Sequence, residues 1–202
     1  MSEMFPSLPD DLEMADIFRA FPKTFRPLVE YHDRLLRDKS DLTIGERELI
    51  AAYVSGLNAC TFCYGAHTLA ARAYGIDEEI FEELIDDVDA SAVDAKMKPI
   101  LKYVKKLTEA PSSVRSADAR AVYDAGWSEA ALFDAVSVCA LFNFMNRIVE
   151  GSGLRSNPLA LPAEVQQERM KLFAGEGKTS FDDAYEGPHR YTSLIQLWGI
   201  PD

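Results

Sequence analysis

Apolar residues recur along most of the chain at intervals of three and four, with no sustained apolar/polar alternation, so the pattern predicts helices and no strands. Phe25, Leu28, Val29, Tyr31 or His32, Leu35 and Leu36 form one face of a helix within residues 22–38. Thr43 and Glu46 have capping-box spacing ahead of an apolar run, which predicts a helix from 43 to about 55. Gly56-Leu57-Asn58 interrupts it, since glycine and asparagine tolerate left-handed backbone angles, and another helix begins near Cys60 and ends at Gly75. Residues 77–89 predict an amphipathic helix in which eight acids surround Ile80, Phe81, Leu84, Ile85 and Val88. Helices over 97–107, 117–125 and 129 to about 150 follow. Ser128 caps the last of these and Gly151-Ser152-Gly153 closes it; its apolar content makes it the expected central packing element.

Punctuation and composition agree with an all-α fold. No proline lies between Pro27 and Pro99 or between Pro111 and Pro158, and alanine occurs 25 times. A chain of 202 residues with 48% hydrophobic and 27% charged side chains suits one globular domain, residues 1–202, with a helical core over about 20–155 and an extension over about 156–202. A helix is expected over 162–173. The last thirty or so residues look irregular, yet Phe181, Tyr185, Tyr191, Leu194, Ile195, Leu197 and Trp198 are too apolar for a solvated tail and are expected to pack on the domain or on a neighbouring subunit.

Charge and cysteine usage narrow the setting. The net charge of −12 disfavours nucleic acid as a partner. The start of the chain lacks a basic cluster followed by an apolar run, and no segment offers about 18 uninterrupted apolar residues, so neither export nor a membrane is expected. Three cysteines are too few for a disulfide scaffold, which points to a reducing, cytoplasmic compartment.

Two of those cysteines carry the chemistry. Cys60, Cys63 and His67 stand at i, i+3 and i+7, within one face of a helix. A C-x-x-C at a helix start lets two sulfurs close a small disulfide, and the helix N-terminus favours the nucleophilic thiolate. His67, one turn beyond Cys63, can take a thiol proton. Glu48 lies on the preceding helix among Ile44, Ala51, Ala52 and Ser55, where a carboxylate can orient or charge that histidine. Cys139, alone in an apolar run, is expected in the core. His32 and His189 have no partner at catalytic spacing, and Asn143, Asn146 and Arg147 either border the cleft or bridge helices.

Glu48, eleven residues, Cys60-Thr61-Phe62-Cys63, three residues and His67 resemble the E-x11-C-x-x-C-x-x-x-H signature of AhpD-like alkylhydroperoxidases. Residues 46–60 and Phe142-Asn143-Phe144-Met145-Asn146-Arg147 are similar to the peroxidase-related branch of the carboxymuconolactone decarboxylase superfamily. The resemblance covers roughly residues 20–155. It implies an AhpD-like helical bundle that assembles as homo-oligomers and reduces small hydroperoxides through a dithiol/disulfide cycle. Cys63 would then be the peroxidatic thiol, Cys60 the resolving thiol, His67 the base and Glu48 its partner in a proton relay. It implies no bound cofactor or metal, and an external reductant, either a small thiol or a protein dithiol of the lipoyl type. Position alone favours Cys60 for the thiolate, because it is nearer the helix N-terminus. AhpD proper has a second histidine where this chain has Phe62. Three other readings compete: a disulfide oxidoreductase or redox sensor that does not meet peroxide, a zinc-stabilised interaction module using Cys60, Cys63, His67 and Glu48, and lactone decarboxylation, against which the retained cysteine pair counts.

Overall fold

The computed structural model describes residues 4–175 and 190–201, and among these residues all regular structure is helical. In chain order the helices are α1 (Met14–Ala20), α2 (Phe25–Leu36), α3 (Ile44–Leu57), α4 (Thr61–Ala73), α5 (Ile80–Leu84), α6 (Lys98–Glu109), α7 (Ser116–Asp124), α8 (Glu129–Ser152), α9 (Ala163–Ala174) and α10 (Ser193–Leu197). Short 3-10 turns precede α2, α7 and α9.

The predicted caps form. Thr43 N donates to Glu46 Oε2 at 2.7 Å and Glu46 N donates to Thr43 Oγ1 at 3.1 Å, closing the capping box of α3. Ser128 Oγ accepts from Ala131 N at 3.0 Å at the start of α8, and Gly153 closes that helix at φ 86°.

Two expectations are corrected. The acidic stretch yields only the five-residue α5, because Asp77 and Asp87 bond the backbone N–H groups of Glu79 and Asp89, which competes with helix formation. The most enclosed helix is α3 rather than α8: Leu49, Ile50, Ala51, Ala52, Tyr53, Val54 and Ser55 are all essentially sealed from solvent. Its small residues let neighbours close in on every side, and it packs chiefly on α4, then on α8 and α6. By length and composition α8 could cross a membrane, but half of its most apolar window is buried inside the protein, the pattern of a core helix. Phe133 and Phe144 on its outer face remain exposed.

The link between α3 and α4 decides where the cysteines stand. Cys60 N bonds Ser55 O and Ala59 N bonds Gly56 O, both at 2.9 Å, which is the Schellman closure of a helix. The left-handed residue is Ala59, at φ 54°, and not Gly56 or Asn58 as the sequence suggested. Gly56 lies inside the helix, where a Cβ would meet Ile85 Cδ1 at 2.3 Å. A left-handed alanine costs roughly 1 kcal/mol relative to glycine. Cys60, next along, leaves α3 and is immediately the N-cap of α4, so the closure of one helix delivers a thiol to the start of the next.

Where it is described, the C-terminal extension packs on the domain except at Leu197: Tyr191 and Ile200 are buried, Leu194, Ile195 and Trp198 lie against the core, and Leu197 stays exposed, against expectation. Phe181, Tyr185 and His189 lie outside the described residues. Gly45, in the first turn of α3, sets the approach to the end of α4, since a Cβ there would stand 2.8 Å from the Tyr74 carbonyl oxygen. Gly45→Ala is therefore expected to lower the unfolding free energy by about 1–2 kcal/mol despite alanine's better helix propensity, seen as a lower denaturant midpoint at unchanged slope.

Candidate active site

The predicted acid and base meet inside the protein. Glu48, fully buried on α3, lies 2.6 Å from His67 Nδ1 through Oε2. Its other oxygen, Oε1, accepts from Arg37 Nη1 at 2.5 Å and from the Tyr191 hydroxyl at 3.0 Å. Burial pushes Glu48 up most strongly, but the Arg37 and His67 charges and their hydrogen bonds together outweigh it and hold the carboxyl at about 2. An ionised carboxylate only accepts, so His67 Nδ1 carries a proton and donates it. The lone pair of the neutral ring is then on Nε2, the nitrogen available as a base. The Phe142 ring packs edge-on against the imidazole, with centroids 4.3 Å apart.

The two sulfurs form a second unit. Cys60 and Cys63 are free thiols, 0% and 3% exposed, and they hydrogen-bond to each other. That bond from Cys63 favours the Cys60 thiolate, against burial and against Glu150, whose own partner is Arg155 at 2.7 Å. The same bond, together with burial, pushes Cys63 up. Asn146 acts in the opposite direction on Cys63 through a hydrogen bond. It is buried on α8, donates to Ser55 Oγ at 3.0 Å and accepts from Asn58 Nδ2 at 2.9 Å. Asn146 therefore reaches the cysteines as well as bridging helices. Asn143 accepts from Asn58 and stands near Cys139, while Arg147 bonds back to Asn143 on the exposed side. Cys139 is in the core, as expected.

Sequence spacing does not reveal Arg37 and Tyr191 as part of this site, whereas His32 is a satisfied structural residue, one of the two roles its lack of a partner at catalytic spacing implies. Arg37 lies in the turn after α2 and Tyr191 near the C-terminus, far from Glu48 in sequence and with no spacing rule to connect them. An Arg-x10-Glu pair around a capping box was the only available hint. His32 is buried, with Nδ1 against Leu28 O at 2.8 Å, and its ring lies 5.1 Å from Tyr191 and 6.1 Å from Phe142. Among the described residues no three His, Cys, Asp or Glu side chains converge as a metal-holding group, and Glu48 is turned to Arg37 and His67.

Residues 22–106 match the model of the carboxymuconolactone decarboxylase family. No curated protein matches the chain. An uncharacterized peroxidase-related protein from Silicibacter sp. TM1040 is similar in structure, with a TM-score of 0.65 and 25% identity over 75% of this chain and 78% of that one. The alkylhydroperoxidase AhpD core of an uncharacterized peroxidase-related protein from Ralstonia eutropha JMP134 gives a TM-score of 0.67 and 24% identity over 81% and 80%.

Burial holds His32 down at about 4, below its ordinary 6.5. The unfolded chain therefore takes up this proton first as pH falls. The contribution is complete above pH 6.5 and is lost as pH drops through about 4, amounting to about 3 kcal/mol. Denaturant titrations across that window are expected to show the loss, and His32→Gln to remove most of its pH dependence.

Proposed function

We propose that the chain, whose residues 22–106 match the carboxymuconolactone decarboxylase family model and whose fold is that of AhpD-like relatives, is a thiol-dependent hydroperoxidase. The supporting observation is the buried contact at 2.6 Å between Glu48 on α3 and His67 on α4, the helix that Cys60 caps and that carries Cys63.

The cycle is as follows. His67 Nε2 takes a thiol proton while Glu48 stabilises the resulting imidazolium. The thiolate attacks one peroxide oxygen, the O–O bond breaks, and the leaving alkoxide takes the proton from His67 and departs as the alcohol. The cysteine sulfenic acid is attacked by the second thiol, forming the S–S bond and releasing water. An external dithiol, a small thiol or a lipoyl-type protein group, then reduces the disulfide and is itself oxidised. Cys63 is assigned the attack because His67 follows it by one turn, and Cys60 the resolution. The lowered Cys60 and raised Cys63 favour the reverse assignment within the same cycle. Burial of both sulfurs suits a small peroxide better than direct exchange with a bulky protein thiol, which favours this cycle over a disulfide oxidoreductase. The proposal includes a reducing compartment and a homo-oligomer, which the exposed Phe133 and Phe144 on α8 support.

Stopped-flow mixing of reduced protein with tert-butyl hydroperoxide tests it. Cys63→Ser is expected to abolish peroxide loss, and His67→Gln and Glu48→Gln to slow it by about 10²–10⁴-fold. Glu48→Gln also removes the carboxylate charge that faces the buried Arg37, costing about 3–5 kcal/mol, so its rate is measured well below its melting transition. Full activity in Cys63→Ser overturns the Cys63 assignment, and full activity in the double variant Cys60→Ser/Cys63→Ser overturns the cycle. Trapping the sulfenic acid and mapping it to one cysteine distinguishes the two assignments.

A further inference from the structure

We propose that the C-terminal segment is a working part of this site, and that Tyr191 is a positioning residue that holds the Glu48 carboxylate so that Oε2 faces His67. The inference rests on the hydroperoxidase reading for what His67 does, but not for how His67 is held.

The last torsion of a glutamate is broad and nearly two-fold, so a buried carboxylate keeps one orientation only where donors hold each oxygen. Glu48 has three donors from three separate parts of the chain. Arg37 and the Tyr191 hydroxyl converge on Oε1, which leaves Oε2 to His67. The Tyr191 ring also lies 4.8 Å from the Arg37 guanidinium carbon, so one side chain constrains both the carboxylate and its cation. Burial, with Glu48 next in effect, pushes the Tyr191 phenol well above its usual 10, and it remains a donor.

Tyr191 is seated by contacts unrelated to any catalytic residue. Asp33 on α2 accepts from Tyr191 N at 2.5 Å, Thr192 N at 3.1 Å and Thr192 Oγ1 at 2.7 Å. Arg190 pairs with Asp38 at 2.9 Å. Further along, Trp198 stacks on Phe25 and Phe18 at 5.7 and 6.5 Å, and Arg19 Nε donates to the Trp198 carbonyl at 2.5 Å. So many tethers on a segment outside residues 22–106, converging where one hydroxyl enters a buried ion pair, point to a built feature rather than incidental tail packing.

Tyr191→Phe keeps the ring and its stacking and removes only the donor. Two readouts are taken on the full chain: the rate of disulfide formation with tert-butyl hydroperoxide, and the imidazole ¹⁵N shifts of His67, which report its tautomer. In the wild type the Nδ1–H tautomer is expected to dominate. In Tyr191→Phe a measurable Nε2–H population should appear and disulfide formation should slow by about 10-fold, the equivalent of one charge-assisted hydrogen bond. Asp33→Asn, which loosens the seat and leaves the hydroxyl in place, is expected to move both readouts the same way by less, and carries the test should Tyr191→Phe fail to fold. Unchanged His67 shifts in these variants overturn the proposal, with or without a change in rate. If the wild type does not react with peroxide while Tyr191→Phe still shifts the tautomer, the hydroperoxidase reading fails and the positioning role stands.

Discussion

A single buried carboxylate organises this protein. Taking Glu48 out of water costs several kcal/mol, and the surroundings offset that cost with a guanidinium, an imidazole and a phenol from three separate parts of the chain. Each partner is therefore constrained. Arg37 must lie in the turn after α2, which the buried Arg47 fastens by donating to Leu35 O and Asp38 O. His67 must face α3 from the middle of α4. Tyr191 must be brought back from the far end of the chain. Removing any one leaves a charge or a donor stranded where water does not reach.

The same constraint accounts for the close fit of α3 against α4. Small residues at both ends of α3 allow close approach: Gly45 admits the Tyr74 carbonyl at the end of α4, and Gly56 admits the Ile85 and Tyr64 side chains. The Schellman closure through Ala59 then fixes the angle at which α4 departs and places Cys60 at its first position. Electrostatics and chain geometry thus converge on one short stretch. Two units result: a pair of buried thiols, each shifting the acidity of the other, and an acid–histidine pair whose free nitrogen is set by the carboxylate.

How much was legible beforehand depended on the range of each interaction. The capping box at Thr43 and Glu46, the Ser128 cap and the glycine after α8 are local and form as their spacing predicts. Glu48, Cys60, Cys63 and His67 were recognisable because two adjacent helices hold them at fixed spacing. Where local rules competed, the reading failed: the aspartates of 77–89 bond their own backbone and shorten α5, and the left-handed angle fell on Ala59 because the hydrogen-bond register selects the position rather than the residue.

The helical pattern, the capped helix starts and the linear order of an acid, two thiols and an imidazole are written along the chain, because caps, periodicity and i, i+3, i+4 neighbours act within a few residues. Long-range packing makes α3 the sealed helix, brings Asn146 to Cys63, and completes the Glu48 site with Arg37 and Tyr191. Those contacts close over long stretches of chain and are selected by the need to pair a desolvated charge, a demand that exists only once folding has excluded water from around it.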